Sequence, residues 1–223
     1  MAGSAVFRKL PIAALRLARR SAMAVAVALV AFAAVAGAGR AAAATGAAEP
    51  VRGFYDTLLN TMQQAQKLGQ GGRFAALDPV VRRSFDIPYM TRVAVGPSWS
   101  TLPEAKRQQL TEAFGRYITA SWADRFDSYS GEKLEVGGEK PYGASQLVET
   151  RIVKSDGEPV SINYLMRRDG AAWRIADVYL TGTISELATR RAEFAAVLRR
   201  DGVDALIATL NSKADGTGVA ARS

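Results

Sequence analysis

The sequence predicts an α+β fold, in which a four-stranded, twisted antiparallel sheet is covered by N- and C-terminal helices and closed into a cone with an apolar cavity. Two observations carry that expectation. From Val51 to Tyr129 apolar residues recur at spacings of three and four, and at Gly131 the spacing changes to alternation. The alternating segments follow one another through short turns, which is the pattern of an antiparallel meander. Such a sheet has an apolar face, and the flanking helices must cover it.

The elements follow in order. Val51, Phe54, Tyr55, Leu58, Leu59 and Met62 form one helical stripe, and Gly69-Gln70-Gly71-Gly72 ends that helix. A shorter helical segment, Arg73 to Arg83, leads to Phe85-Asp86-Ile87-Pro88-Tyr89-Met90, where Asp86 is an N-cap and Pro88 falls in the first turn. Gly96-Pro97 breaks the next helix. The longest helix starts near Leu102-Pro103-Glu104 and carries Leu110, Phe114, Tyr117, Ile118, Trp122, Phe126 and Tyr129. Strands are expected at Leu134 to Val136, Ser145 to Lys154, Val160 to Met166 and Trp173 to Leu180, with turns at Ser155-Asp156-Gly157-Glu158 and Arg168-Asp169-Gly170. Two helices close the chain, Ile184 to Arg200 and Val203 to Asn211.

Residues 1–44 read as a cleaved secretory signal. Arg8, Lys9, Arg16, Arg19 and Arg20 precede an apolar run from Ala22 to Ala38, and Ala42-Ala43-Ala44 offers the small residues of a cleavage site. An uncleaved anchor is the alternative, but nine of the 17 residues in the run are alanine, weakly apolar for a span. Arg19-Arg20 could mark twin-arginine export, though Ser21-Ala22-Met23 is a poor continuation. Either route delivers a periplasmic protein. The remainder reads as a single domain over residues 45–213 with a flexible tail at 214–223, and a monomer is expected.

Removing the signal changes the charge. Of 29 Lys+Arg and 21 Asp+Glu, six basic residues and no acidic ones precede Thr45, which leaves 23 against 21. Nucleic-acid binding needs a cationic surplus, so no nucleic-acid partner is expected. The chain has no cysteine and no histidine. Disulfides, thiolate nucleophiles, a lipid-modified cysteine, Ser-His-Asp chemistry and nearly all zinc, copper and haem sites are thereby excluded. Phosphate-loop, dinucleotide and nucleophile-elbow motifs are lacking, and no cofactor or metal is expected.

The aromatic helix suggests what the interior holds. Bulky residues facing a curved sheet make either an ordinary filled core or an apolar pocket able to take much of a lipid. The candidate lining is Phe85, Tyr89, Met90, Phe114, Ile118, Trp122, Phe126, Ile162, Tyr164, Ile175, Val178 and Leu180. Burial is worth about 0.8 kcal/mol per methylene, so a lipid with about 30 of them resists water by roughly 24 kcal/mol. A soluble carrier must replace that apolar environment.

Phe85 to Met90, then Val95-Gly96-Pro97-Ser98-Trp99, resembles the signature of the MlaC, or toluene-tolerance, family of periplasmic lipid-binding proteins. Trp173-Arg174-Ile175-Ala176-Asp177-Val178, Gly182 and the helix with Arg191 and Phe194 extend the resemblance from about Val51 to Leu210. Two segments, Arg125 to Glu132 and Asp177 to Arg191, are closer to the hopanoid-associated HpnM branch, and Thr183-Ile184-Ser185 departs from the Val-Ser more usual in the phospholipid branch. The resemblance implies a carrier shuttling a hopanoid-type lipid, or alternatively a phospholipid, between inner and outer membranes. It also implies an inner-membrane lipid exporter partner of the resistance-nodulation-division or ABC type.

Two rival readings stay open at this point. Cone-shaped α+β domains also host acid–base isomerases, and Asp177 with Tyr164 could form such a pair. The bland reading of Asp177 is a structural hydrogen-bond acceptor. A pure interaction module would have a filled core, with Arg190-Arg191 and Arg199-Arg200 as either a solvated face or a docking patch. Two ionisable groups converging in the interior would favour catalysis.

Overall fold

The computed structural model describes residues 46–216. The expected signal segment and most of the expected tail lie outside them. Helices α1 (Glu49–Gln63), α2 (Ala65–Ser84), α3 (Ile87–Val95) and α4 (Glu104–Arg125) come first, with a 3-10 turn at Gly96–Thr101 between the last two. Strands β1 (Lys133–Tyr142), β2 (Ser145–Val153), β3 (Pro159–Asp169), β4 (Ala172–Leu180) and β5 (Ile184–Ser185) follow, and α5 (Glu186–Ala214) ends the described chain. The sheet is an antiparallel meander in the order β1-β2-β3-β4-β5. Among the described residues no helix is long and apolar enough to cross a membrane.

The α+β class holds, with five strands where four were expected. The extra one is Ile184–Ser185, assigned from sequence to the last helix pair. After a tight turn through Thr181 (φ 50°) and Gly182 (φ 80°), these two residues pair with Leu180 and Tyr179. Helix α5 begins only at Glu186, because Ser185 is its N-cap and accepts from the Ala188 amide at 2.9 Å. The two expected C-terminal helices are both present, joined end to end as α5, and they meet at Gly202 (φ 82°, ψ −177°), whose non-helical backbone makes the break where the sequence placed it.

Strand β1 is much longer than Leu134 to Val136. Its register shifts between Val136 and Glu139, and a side chain at Gly137 would meet the Glu149 carbonyl at 3.1 Å. This bulge re-aims the strand. Glu139 beyond it accepts from the Ala48 amide at 2.8 Å, supplying the cap that Ala48, with no polar side chain, cannot give to α1.

Helix α1 ends at Gln63, earlier than the glycine cluster. Gln64 leaves helical geometry, and Gly69 (φ 61°, ψ −176°) bends α2 in a conformation that favours glycine. Asp86 caps α3 as expected, accepting from the Tyr89 amide at 3.1 Å. The aromatic helix α4 stops at Arg125; Phe126 is its C-cap, and Tyr129 lies in the following loop, 42% exposed. At the far end Ala214 closes α5, and Asp215 pairs with Arg116 at 2.5 Å.

The signature segments turn out to build one joint. The Asp86 amide donates to the Ile175 carbonyl at 2.8 Å, and Arg167 of β3 pairs with the Asp86 carboxylate. Gly96 (φ 69°) lies against Arg191 of α5, whose Nε would sit 3.2 Å from any added Cβ. Gly96→Ala is therefore expected to cost about 1–2 kcal/mol through left-handed strain alone, read as a lower denaturant midpoint at unchanged slope.

Candidate functional site

The interior is an apolar cluster between helices and sheet, and most of the expected lining lies in it. Phe85, Met90, Phe114, Ile118, Trp122, Ile162, Tyr164, Ile175 and Val178 are buried there, while Tyr89, Phe126 and Leu180 pack against it partly buried. Trp122 is 9% exposed. Its ring meets Phe54 edge-on at 4.9 Å and stacks with Phe126 at 5.3 Å, and Phe85 closes on Phe54 at 5.2 Å. These rings fill the space between them.

The aromatic stripe of α4 divides, where the sequence suggested one wall facing the sheet. Trp122 turns towards Phe54 of α1 and carries Phe126 stacked on it, whereas Phe114 meets Phe194 of α5 at 5.5 Å and stacks on Tyr117. Tyr89 takes a different position again, its ring under the guanidinium of Arg167 at 4.6 Å and of Arg92 at 5.6 Å. The sequence reading left out Phe54, Tyr55 and Met62 of α1. Their spacing of one and seven residues had placed them on a helical face, but nothing in that pattern said the face met Trp122.

One polar chain crosses this core. The Thr150 hydroxyl donates to the Ile162 carbonyl, so its oxygen accepts from Tyr55 at 2.7 Å, and Tyr55 in turn accepts from Tyr164 at 3.3 Å. Burial pushes both phenols up, well above the ordinary value for Tyr164, so both stay neutral. The chain ties α1 to β2 and β3 and leaves no phenolate for chemistry.

Asp177 and Tyr164 do not converge. Tyr164 pairs with Val178 across β3 and β4, while Asp177 pairs with Leu165, so the two side chains emerge on opposite faces. Asp177 Oδ1 accepts from the Val178 amide at 2.7 Å and the Leu187 amide at 3.0 Å, and Oδ2 accepts from the Ser185 hydroxyl at 2.6 Å. Burial raises its pKa against the opposing pull of those three bonds. Its role is to fix the start of α5. The tandem arginines divide similarly: Arg190 pairs with Glu186 and Glu193, Arg200 with Asp201, and Arg191 lies on Gly96.

A buried arginine supports the α4 terminus. Arg73 is 8% exposed and donates to the Ala123 carbonyl at 2.8 Å and the Ala65 carbonyl at 3.3 Å. A cation at a helix C-terminus is favoured by the macrodipole.

This arrangement of an antiparallel sheet and helices is similar to that of a solved phospholipid-binding protein from Ralstonia solanacearum, determined in complex with a phospholipid. The match has a TM-score of 0.67 at 20% identity and covers 77% of this chain and 98% of that one. This chain belongs to the MlaC family, whose model matches residues 52–212. It is also similar to the intermembrane phospholipid transport system binding protein MlaC of Haemophilus influenzae, 22% identical over 134 residues. That alignment covers 58% of this chain and 62% of the relative, so the chain spans under two thirds of the relative's length.

Proposed function

We propose that this chain is a periplasmic lipid carrier that takes the acyl chains of a phospholipid into the apolar interior and moves the lipid between inner and outer membranes. The observation that carries the reading is the match to the MlaC family over residues 52–212, and the aromatic core, packed shut in this structure, is where the chains would enter. Phe54, Phe85, Trp122 and Phe126 make a continuous aromatic surface held by packing, with tyrosine hydroxyls that stay neutral. Such rings can separate and present flat apolar faces to hydrocarbon. The relatives' own names, a phospholipid transport binding protein and a phospholipid-binding protein, support the same cargo class.

Carriage proceeds without covalent chemistry, and the lipid leaves unchanged. Asp177, the carboxylate nearest to a catalytic role in sequence, is committed to three hydrogen bonds at the root of α5. Export by the cleaved segment before Thr45 puts the carrier in the periplasm. Its donor or acceptor is an inner-membrane exporter of the ABC or resistance-nodulation-division type, which it meets as a monomer.

A hopanoid cargo is the second reading, favoured by the likeness of Arg125 to Glu132 and of Asp177 to Arg191 to the hopanoid branch. Much of the second segment serves the α5 joint, through Asp177, Ser185 and Arg191, and so bears little on cargo.

One purification tests the proposal. Protein released by osmotic shock is expected to begin near Thr45 by intact mass and to yield phospholipid on solvent extraction. A lipid-free extract would sink the carrier reading, and a triterpenoid would move it to the hopanoid branch.

A further inference from the structure

The tandem arginines of α5 leave two charges that the chain itself does not take up. Each pair gives one guanidinium to an internal partner: Arg190 binds Glu186 and Glu193, and Arg200 binds Asp201. Arg191 and Arg199 are exposed. Arg92 of α3 is exposed as well, one turn before Gly96, and Arg191 lies on Gly96, so these two meet at the seam of α3 and α5. Arg199 stands about 12 Å further along α5. None of the three has a carboxylate partner among the described residues. We propose that this strip docks the protein on an anionic bilayer, with Arg92, Arg191 and Arg199 meeting the phosphates of the leaflet that gives up or receives the lipid. The proposal rests on the carrier reading above.

Charge complementarity points to the occupant. Residues 45–223 hold 23 basic and 21 acidic side chains, a surplus of two. Three unpaired arginines on one strip therefore gather more than the whole surplus in one place. The carboxylates that could offset them are already taken. On α5 itself Glu186 and Glu193 hold Arg190, Asp201 holds Arg200 and Asp204 holds Lys106. Asp86, at the head of α3, is buried and pairs with Arg167. The strip thus presents positive potential, with no free acid to receive a partner's cations.

Shape favours a bilayer over an acidic protein. The outer face of a helix is convex, and exposed alanines at 188, 192 and 196 keep it low, so it has no recess for the anchoring side chain of a protein partner. A guanidinium needs no recess, because it can take a lipid phosphate from an open surface through two parallel bonds. Ile184, 55% exposed just before α5, supplies an aliphatic group that can dip below the phosphates. The Tyr89 ring, 5.6 Å from the Arg92 guanidinium, supplies an amphipathic one. Arginines mixed with such groups are what settles at headgroup depth.

The test is co-sedimentation of the protein released by osmotic shock with vesicles of pure phosphatidylcholine and of phosphatidylcholine mixed with phosphatidylglycerol. One arginine near an anionic leaflet is worth about fivefold in binding, so three give a preference for the charged vesicles of roughly a hundredfold. The preference is expected to vanish between about 0.1 M and about 1 M salt, as the Debye length falls from about 10 Å to about 3 Å. Arg92→Gln, Arg191→Gln and Arg199→Gln together should abolish it. Arg199→Gln alone, at an exposed position, should cost about fivefold at an unchanged melting temperature. Arg52→Gln removes the same charge from α1 and should leave binding as it was. Equal binding to both vesicles, or equal losses in Arg52→Gln and Arg199→Gln, overturns the strip. Solvent extraction of the same preparation reports on the carrier separately. Extractable lipid without a vesicle preference overturns the strip alone; a vesicle preference without extractable lipid overturns the carrier and leaves the strip as a membrane contact.

Discussion

Trp122→Ala is expected to destabilise the lipid-free protein by about 3–5 kcal/mol, the usual cost of removing a buried tryptophan. The side chain is almost fully enclosed, edge-on to Phe54 and stacked on Phe126, so its removal leaves a hole bounded by rings that cannot both move in. Against a total stability of about 5–15 kcal/mol the loss is large, and at about 2–4 °C per kcal/mol it lowers the melting temperature by roughly 10 °C. The lipid-loaded form should lose less. A carrier exchanges ring-to-ring contact for ring-to-hydrocarbon contact when it loads, and the vacated volume is then available to a chain. Denaturant melts of delipidated and loaded protein measure both costs. Equal losses in the two forms would mean that cargo never reaches Trp122.

Much of this arrangement could be read before the structure, and the parts that could not share a physical reason. The change of period at Gly131, the Asp86 cap and the Asp169-Gly170 hairpin are local signals, set by residues within a few positions of one another. Strand β1 gave a weak signal because it is an edge: most of its residues beyond Val136 are exposed, so no apolar alternation marks them. Strand β5 is two residues that follow a left-handed Thr181, a partner choice made by β4 and invisible in the segment itself.

The apolar core was legible as composition but not as geometry. Nine of the twelve expected lining residues are buried in one core. How they divide depends on which helix lies opposite, and helical spacing carries no such information. Small buried residues such as Ala113, Gly115 and Ala123 let α4 be approached from several sides, and they add nothing to an apolar stripe.

Asp177 offers the second large effect and separates structure from catalysis. Asp177→Leu keeps the branched skeleton but leaves the Val178 amide, the Leu187 amide and the Ser185 hydroxyl without an acceptor. Buried donors cost about 1–3 kcal/mol each, and with partial relaxation the expected loss is about 3–5 kcal/mol. Asp177→Asn retains an oxygen for both amides and is expected to lose about 1 kcal/mol. The two variants also differ from wild type in pH dependence. Burial holds the Asp177 pKa above its ordinary 3.8, so the folded chain takes up this proton at higher pH than the unfolded chain does. The stability this gives is fully present below pH 3.8 and is lost as pH rises through the raised pKa. Wild type minus Asp177→Asn stability should therefore decline with rising pH across that window, as chemical melts on both proteins can establish. An opposite slope would mean that the carboxylate is stabilised in its ionised form, as in an open, solvated site. For function the two arms agree: lipid extracted after long incubation with wild type or Asp177→Asn is expected to be chemically identical to what was loaded. A modified lipid from wild type alone would make Asp177 an acid–base group and this chain an enzyme.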